Sequence, residues 1–278
     1  MPILGVTERP MKPNPIIETL LNRTSIRKFR KDTVPDELLE TVLDCAVRAP
    51  TAAGRQWYSI VRVKDPEVRE RICEAAGNNS TELLKSAPEL LFFNFDSRRM
   101  ELSVEQMGGS FYFDGPITLT MFGADPFLAA SNAMTAAEAL GLGTVYVGTI
   151  HHWSKKLMEI LEYPPHVYPM ALLCIGYPAE NPALRDRLPL ESVVHTDRYV
   201  DPPASRLRKD LAGLQRKFQQ FGDSNEQFKK TCEGKKVSTE VAYFTNCHFK
   251  REVFAQADKA VVDALSKAGF RLRPPESD

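Results

Sequence analysis

The chain carries no charge excess of either sign, with 36 Lys plus Arg against 36 Asp plus Glu. No global field therefore recruits nucleic acid or an acidic membrane. No run approaches 18 apolar residues, the minimum for a membrane-spanning helix. Five cysteines, at positions 45, 73, 174, 232 and 247, are odd in number and widely spaced, unlike a secreted disulfide framework. Cys45, Cys73 and Cys174 lie in apolar or amphipathic runs, where an inert buried thiol is the rule. A reducing, cytoplasmic compartment is expected. Met1–Pro15 has four prolines and no apolar core, so a signal peptide is not expected. Cys232, Cys247 and His248 lack a close Cys pair and a fourth ligand, so no metal site is expected. Gly141-Leu142-Gly143 follows a helical pattern and precedes a strand, the wrong order for a dinucleotide fingerprint. A phosphate-loop motif and internal repeats are also missing.

What is present is an alternation of amphipathic and strongly apolar segments. Asn14-Pro15 supplies a cap and a first-turn proline before Ile16, Ile17, Leu20 and Leu21, which predicts a short helix. Leu38, Leu39, Val42, Leu43, Ala46 and Val47 form the apolar face of a second helix ending before Pro50. Residues 57–63 read as a strand, and a third helix opens at Asp65-Pro66. Residues 89–95 are nearly all apolar, which argues for a strand buried on both faces. The stretch 96–122 is weakly periodic and reads as a long loop or lid. Residues 127–140 are the strongest helix pattern, stopped by Gly141. Strands follow at 144–150 and 170–176, with a short helix at 153–161 between them. Beyond a proline-containing connector come a basic amphipathic helix at 205–221, a polar stretch at 229–243 with weak strand character, and a last helix at 252–268. These elements describe a layered α/β or α+β domain with a helical extension.

The most unusual stretch is Arg23-Thr24-Ser25-Ile26-Arg27-Lys28-Phe29. On extended backbone Arg23, Ser25 and Arg27 share a face, because side chains alternate with period two. Two guanidiniums and a hydroxyl on one face suit a phosphate, which accepts several charge-assisted hydrogen bonds. A solvated basic turn is the alternative for this stretch taken alone.

Four segments in order carry a resemblance: Arg23–Phe29; Ala49-Pro50-Thr51-Ala52-Ala53-Gly54-Arg55-Gln56-Trp57; Gly141-Leu142-Gly143; and Ile175-Gly176-Tyr177-Pro178. Together they are similar to the nitroreductase family of FMN-dependent oxidoreductases, over roughly residues 14–200. The resemblance implies an α+β three-layer fold, with a mixed, mainly antiparallel sheet flanked by helices. It implies an FMN-binding domain over 1–200; the family pattern does not extend over 201–278, whose own residues read as a C-terminal helical extension that either presents a solvated basic face or wraps a partner subunit. It also implies a homodimer with FMN at the interface, NAD(P)H as reductant and an electron-poor acceptor such as a nitroaromatic or quinone.

Carried over residue by residue, Arg23, Thr24, Ser25 and Arg27 would hold the flavin phosphate and ring edge, with Arg187 closing the phosphate site. Pro50, Thr51, Ala52 and Gly54 match the loop beside the ring, usually lent by the other subunit. Arg55 departs from the family pattern there and would add charge near the ring or substrate. Asn79 would touch the pyrimidine edge, and Gly148 and Thr149 would bring backbone N–H groups to flavin N5. Phe111 and Tyr112 would stack on a planar substrate or serve as interface core. His151 would either start a helix and pack its ring or act as a proton donor. Redox chemistry belongs to the flavin, so no protein acid, base or nucleophile is required. A specialised dehydrogenase or oxidase of a small metabolite, or a non-catalytic flavin-binding dimer, is the competing expectation.

Overall fold

Two helical faces enclose a sheet because the central strands have no polar face. The computed structural model describes residues 14–77, 80–185, 187–224, 226–243 and 250–273. By their contacts these divide into two compact units, one of residues 14–184 and 257–273, the other of 185–256. The larger unit holds four strands, β1 (Tyr58–Arg62), β2 (Glu89–Asp96), β3 (Gly143–Val147) and β4 (Val167–Gly176). Their order is β1-β2-β4-β3, with every neighbouring pair antiparallel. Among the described residues, a parallel bridge from Ser25 to Thr144 makes the sheet mixed.

Alternate residues of β2 and β4 feed two separate cores. Leu91, Phe93, Ala171, Leu173 and Ile175 pack on α2 (Asp36–Val47) and α7 (Asp125–Ala139) through Leu39, Val42, Ala129, Ala133 and Ala137. Leu90, Phe92, Leu172 and Cys174 face the other way. They meet Ile72 of α3 (Pro66–Ala76), Leu84 of α4 (Thr81–Ser86) and Leu157 of α8 (Ser154–Ile160). This is the three-layer α+β arrangement, and the continuous apolar runs are explained by burial on both faces. Burial pushes the Cys73 thiol up and the Cys174 thiol up to about 12, so both are poor nucleophiles.

Helix α1 (Pro15–Asn22) starts where Asn14 Oδ1 accepts from Ile16 N at 3.0 Å, with Pro15 in its first turn. After α9 (Leu190–Val193), the C-terminal helical extension comprises α10 (Ala204–Ser224), α11 (Glu226–Gly234), α12 (Glu240–Tyr243) and α13 (Arg251–Lys267). Within the larger unit, Ala264, Ala268 and Phe270 join Trp57, Phe95, Met158 and Tyr168 in a third cluster.

Three expected elements differ. The stretch 96–122 is not one long loop, because it folds α5 (Arg98–Gln106) and α6 (Pro116–Phe122). Arg and Glu dominate α5, and only Met100 and Val104 mark an apolar stripe there. The strand expected to reach residue 150 stops at Val147, and Gly148–Trp153 is a 3₁₀ turn. Ile150 and Trp153, three residues apart, are both buried, which is the 3₁₀ period rather than the strand period. The stretch 229–243 folds as the end of α11, a turn over 235–239 and α12, and none of these described residues makes a strand.

Glu101 of α5 shows how this packing responds to acid. Its carboxylate accepts from Arg98 Nη1 at 2.5 Å and lies 3.0 Å from His166 Nδ1. Burial pushes its pKa up, and the bonds from His166 and Arg98 more than reverse that, leaving it below the ordinary 4.5. A carboxyl lowered on folding stabilises the native state above its unfolded value, and that contribution is lost as pH falls through the folded value. Thermal melts of Glu101→Gln should therefore lie below wild type at neutral pH. The gap should close as pH falls below 4.5. A gap of constant size down to acid pH would contradict the assignment.

Candidate functional site

The basic segment sits along the outer edge of β3. Ile26 N donates to Thr144 O at 2.9 Å, and Arg30 N donates to Tyr177 O at 2.9 Å. Phe29 bridges Pro178. Ile26 and Phe29 turn into the core, at 7% and 8% exposure. Arg23, Thr24 and Ser25 are thereby left half-buried, with Arg27 exposed. Gly143 permits this approach, since a Cβ there would lie 2.8 Å from Ile26 Cγ1. Gly176 is as tightly placed, its absent Cβ 2.4 Å from Pro88 Cδ.

Arg23 is anchored on one side only. Its Nε lies 3.5 Å from Glu138 Oε1, at the end of α7, and is buried without a hydrogen bond. The same carboxylate oxygen accepts from Thr144 Oγ1 at 2.5 Å. Arg27 Nη1 folds back to Ser25 O at 3.4 Å. The backbone N–H groups of Arg27 and Lys28 both donate to Glu180 Oε1, at 2.5 and 3.0 Å. An under-used guanidinium beside a hydroxyl and a second arginine is a donor set in search of an anion, and it fits the phosphate of FMN.

The Pro50–Gln56 loop is built around Asp125, the first residue of α7. Asp125 Oδ2 accepts from Thr51 Oγ1 at 2.5 Å and from Trp57 N at 3.2 Å. Its Oδ1 accepts from Ala52 N at 3.2 Å, and Thr51 Oγ1 accepts from Gln56 N at 2.7 Å. Ala53, Gly54 and Gln56 take positive φ angles of 52°, 66° and 51°. Pro50, Gly54 and Arg55 are exposed. Beside the loop lies an open cleft of about 180 Å³, lined by Arg55, Gln56, Trp57, Arg99 and Met100 among others.

The loop and the basic segment are thus tied to opposite ends of α7. Asp125 and Glu138 are thirteen residues apart, which at 1.5 Å per residue is about 20 Å. Within one chain, their side chains do not converge on the same atoms of a ligand.

The remaining candidates fall in other places. Gly148 and Thr149 are exposed at the end of β3, with open space around Gly148 and Thr149 Oγ1 3.3 Å from Ser80 Oγ. His151 is half-buried, its Nδ1 3.3 Å from the Tyr168 hydroxyl. Burial holds its pKa below the usual histidine value, so the ring is neutral at pH 7. Phe111 packs on His166 with ring centroids 4.9 Å apart, and Tyr112 is exposed beside Phe113. Phe113 in turn contacts Trp57, which joins the aromatic segment to the loop. Arg187 is exposed in the smaller unit, its Nη1 3.3 Å from Arg185 O. Asn79 lies outside the described residues.

Glu138, Thr144, Glu180 and Asp125 escape a reading of the sequence because their partners are distant in the chain. Asp125-Pro126 at a helix start is the one local signal that was available. Among the described residues, no group of three or more His, Cys, Asp or Glu is placed to hold a metal ion. No described helix is long and apolar enough to cross a membrane.

A three-layer α+β sheet with an arginine–hydroxyl–arginine cradle along its edge defines a class of protein suited to gripping an anionic ligand. A sequence profile described as the nitroreductase family matches residues 20–177. The FMN reductase [NAD(P)H] of Bacillus subtilis (strain 168) is 32% identical over 190 residues, covering 68% of this chain and 76% of that protein. The NADPH-flavin oxidoreductase of Vibrio harveyi is 35% identical over 189 residues, covering 68% and 76%. The crystal structure of an oxidoreductase from Bacteroides fragilis NCTC 9343 superposes with a TM-score of 0.81 at 28% identity, covering 91% of this chain and 99% of that one. The chain belongs to the nitroreductase family and is an FMN-dependent oxidoreductase.

Proposed function

We propose that two copies of the chain form a homodimer with FMN at the interface, and that NAD(P)H and an electron-poor acceptor use one pocket in turn. Nitroaromatics and quinones are the acceptor class. FMN, when bound, would supply the redox chemistry between the nicotinamide and the acceptor. The protein's part is to hold, orient and shield. Arg23, Thr24, Ser25 and Arg27 grip the phosphate, aided by Arg187. Pro50, Thr51, Ala52 and Gly54 of the second copy flank the ring, and Gly148 and Thr149 present backbone at its redox edge. Asn79 borders the pyrimidine, and Arg55, Phe111, Tyr112 and His151 face the substrate.

The observation that carries this reading is the separation of the two half-sites along α7. Arg23 has an unused buried donor at one end, and the loop is organised at the other. A second copy supplies the missing half to each site. Exposed apolar surface supports pairing: α1 buries none of its residues, and Ile16, Leu20 and Leu21 are 63%, 50% and 60% exposed. The relatives named as NAD(P)H and NADPH enzymes support a nicotinamide reductant. We further propose an FMN-binding domain over 1–200, a partner-wrapping extension over 201–278 and a cytoplasmic location.

Purified protein should be yellow, with a band near 450 nm that bleaches on adding NADH or NADPH under argon and returns with a quinone. Bound flavin reduced by neither nucleotide would favour a dehydrogenase acting on another metabolite. Colourless protein that cannot be reconstituted with FMN would remove the proposal.

A further inference from the structure

We infer that Asp125 is a positioning residue, fixing the 51–57 loop in the shape that borders the flavin ring and acceptor while touching neither. The inference rests on the proposed placement of that loop beside the ring.

Three elements meet at this carboxylate. Asp125 is 2% exposed and begins α7, where the helix dipole favours negative charge. It accepts the Thr51 hydroxyl, the Ala52 N–H and the Trp57 N–H, which bracket the loop from both ends. The Thr51 hydroxyl passes the restraint on to Gln56 N, and the Trp57 indole N–H closes back on Ala52 O at 3.3 Å. Trp57 is itself stacked on Phe122 of α6, with centroids 4.1 Å apart and planes 4° apart. The loop thus has a fixed base and an exposed rim.

That rim is costly to hold otherwise. Ala53 and Gln56 are non-glycine residues with positive φ, a conformation that persists only when surroundings impose it. Arg55, between Gly54 and Gln56, is exposed and lines the cleft with Gln56. Releasing the base lets the loop relax to ordinary backbone, which moves Arg55 and the cleft wall together. Asparagine at 125 keeps the volume of aspartate but offers one acceptor oxygen in place of two, and aims N–H groups at donors.

The experiment uses FMN-loaded protein and trypsin, which cuts after Arg55. Asp125→Asn should be cleaved there about tenfold faster than wild type, and the visible circular dichroism of bound flavin should change. Its kcat/KM for a quinone should fall by about 10- to 100-fold, the size of a small misplacement near reacting atoms. FMN affinity should stay within about threefold, because the phosphate cradle is anchored at the other end of α7. Should Asp125→Asn not fold, Asp125→Ser, which also keeps a single acceptor oxygen, is read by the same criteria. Wild-type cleavage and dichroism overturn the inference. So does faster cleavage with unchanged dichroism, and Arg55→Ala then separates the two failures. Wild-type dichroism in Arg55→Ala rejects the ring-side loop, whereas altered dichroism there rejects the role of Asp125 alone.

Discussion

Arg23→Ala is expected to weaken FMN binding by about 10- to 150-fold, the equivalent of about 1.5–3 kcal/mol for a hydrogen bond to a charged group. The size follows from its setting. Arg23 is largely buried, with a side chain 21% exposed, and among the described residues its carboxylate neighbour is Glu138, 3.5 Å from Nε. A phosphate would meet the terminal nitrogens of the guanidinium, of which Nη2 makes only a long 3.5 Å bond to Glu138 Oε1. Arg27 makes a useful contrast, because it is exposed and already turns a nitrogen to Ser25 O. Salt screens such a charge, so Arg27→Ala should cost less than Arg23→Ala, and its effect should shrink further at high ionic strength. Fluorescence titration of apo-protein with FMN reads both. Equal dissociation constants for Arg23→Ala and wild type would remove Arg23 from the phosphate site.

Phe93→Ala is expected to destabilise the fold by about 3–5 kcal/mol, the usual cost of emptying a large core position. Phe93 is 0% exposed in a central strand, facing the cluster with Leu39, Val42, Ala133 and Leu173. Its neighbours on α7 are mostly alanines, which are too short to fill the space it leaves. Urea unfolding should show a lower midpoint with an unchanged slope, provided FMN is held fixed, since a ligand that binds only the folded chain adds its own stabilisation. Tyr112→Ala, at a position 67% exposed, should change the midpoint little. A loss below about 1 kcal/mol at Phe93 would mean that the two helices close over the gap.

Strands β2 and β4 were legible in the sequence because their burial is nearly complete, and helices α2 and α7 because one buried face recurs at helical spacing. Helix α5 was obscured because it is mostly exposed, and exposed positions record solubility rather than geometry. The turn after β3 was misread for a different cause: Thr149 and Ile150 suit a strand, and only the spacing of Ile150 and Trp153 distinguishes a tighter helix. Of the site, the residues with distinctive chemistry, Arg23, Ser25 and Arg27, could be singled out in advance. Glu138, which orients Arg23, and Asp125, which orients the 51–57 loop, could not, because an ion pair across 115 residues and a hydrogen bond across 74 leave no periodic trace.

The placement of the basic segment against β3 has a consequence for solubility. An outermost strand with unpaired N–H and C=O groups is a template for joining another molecule, and proteins mask such strands with charge or a covering chain. Here the covering chain carries Arg23, Arg27 and Lys28 and takes the Thr144 carbonyl itself. Variants that peel it away would lose more than a ligand: they would bare a sticky rim, and precipitation in storage would accompany the loss of colour.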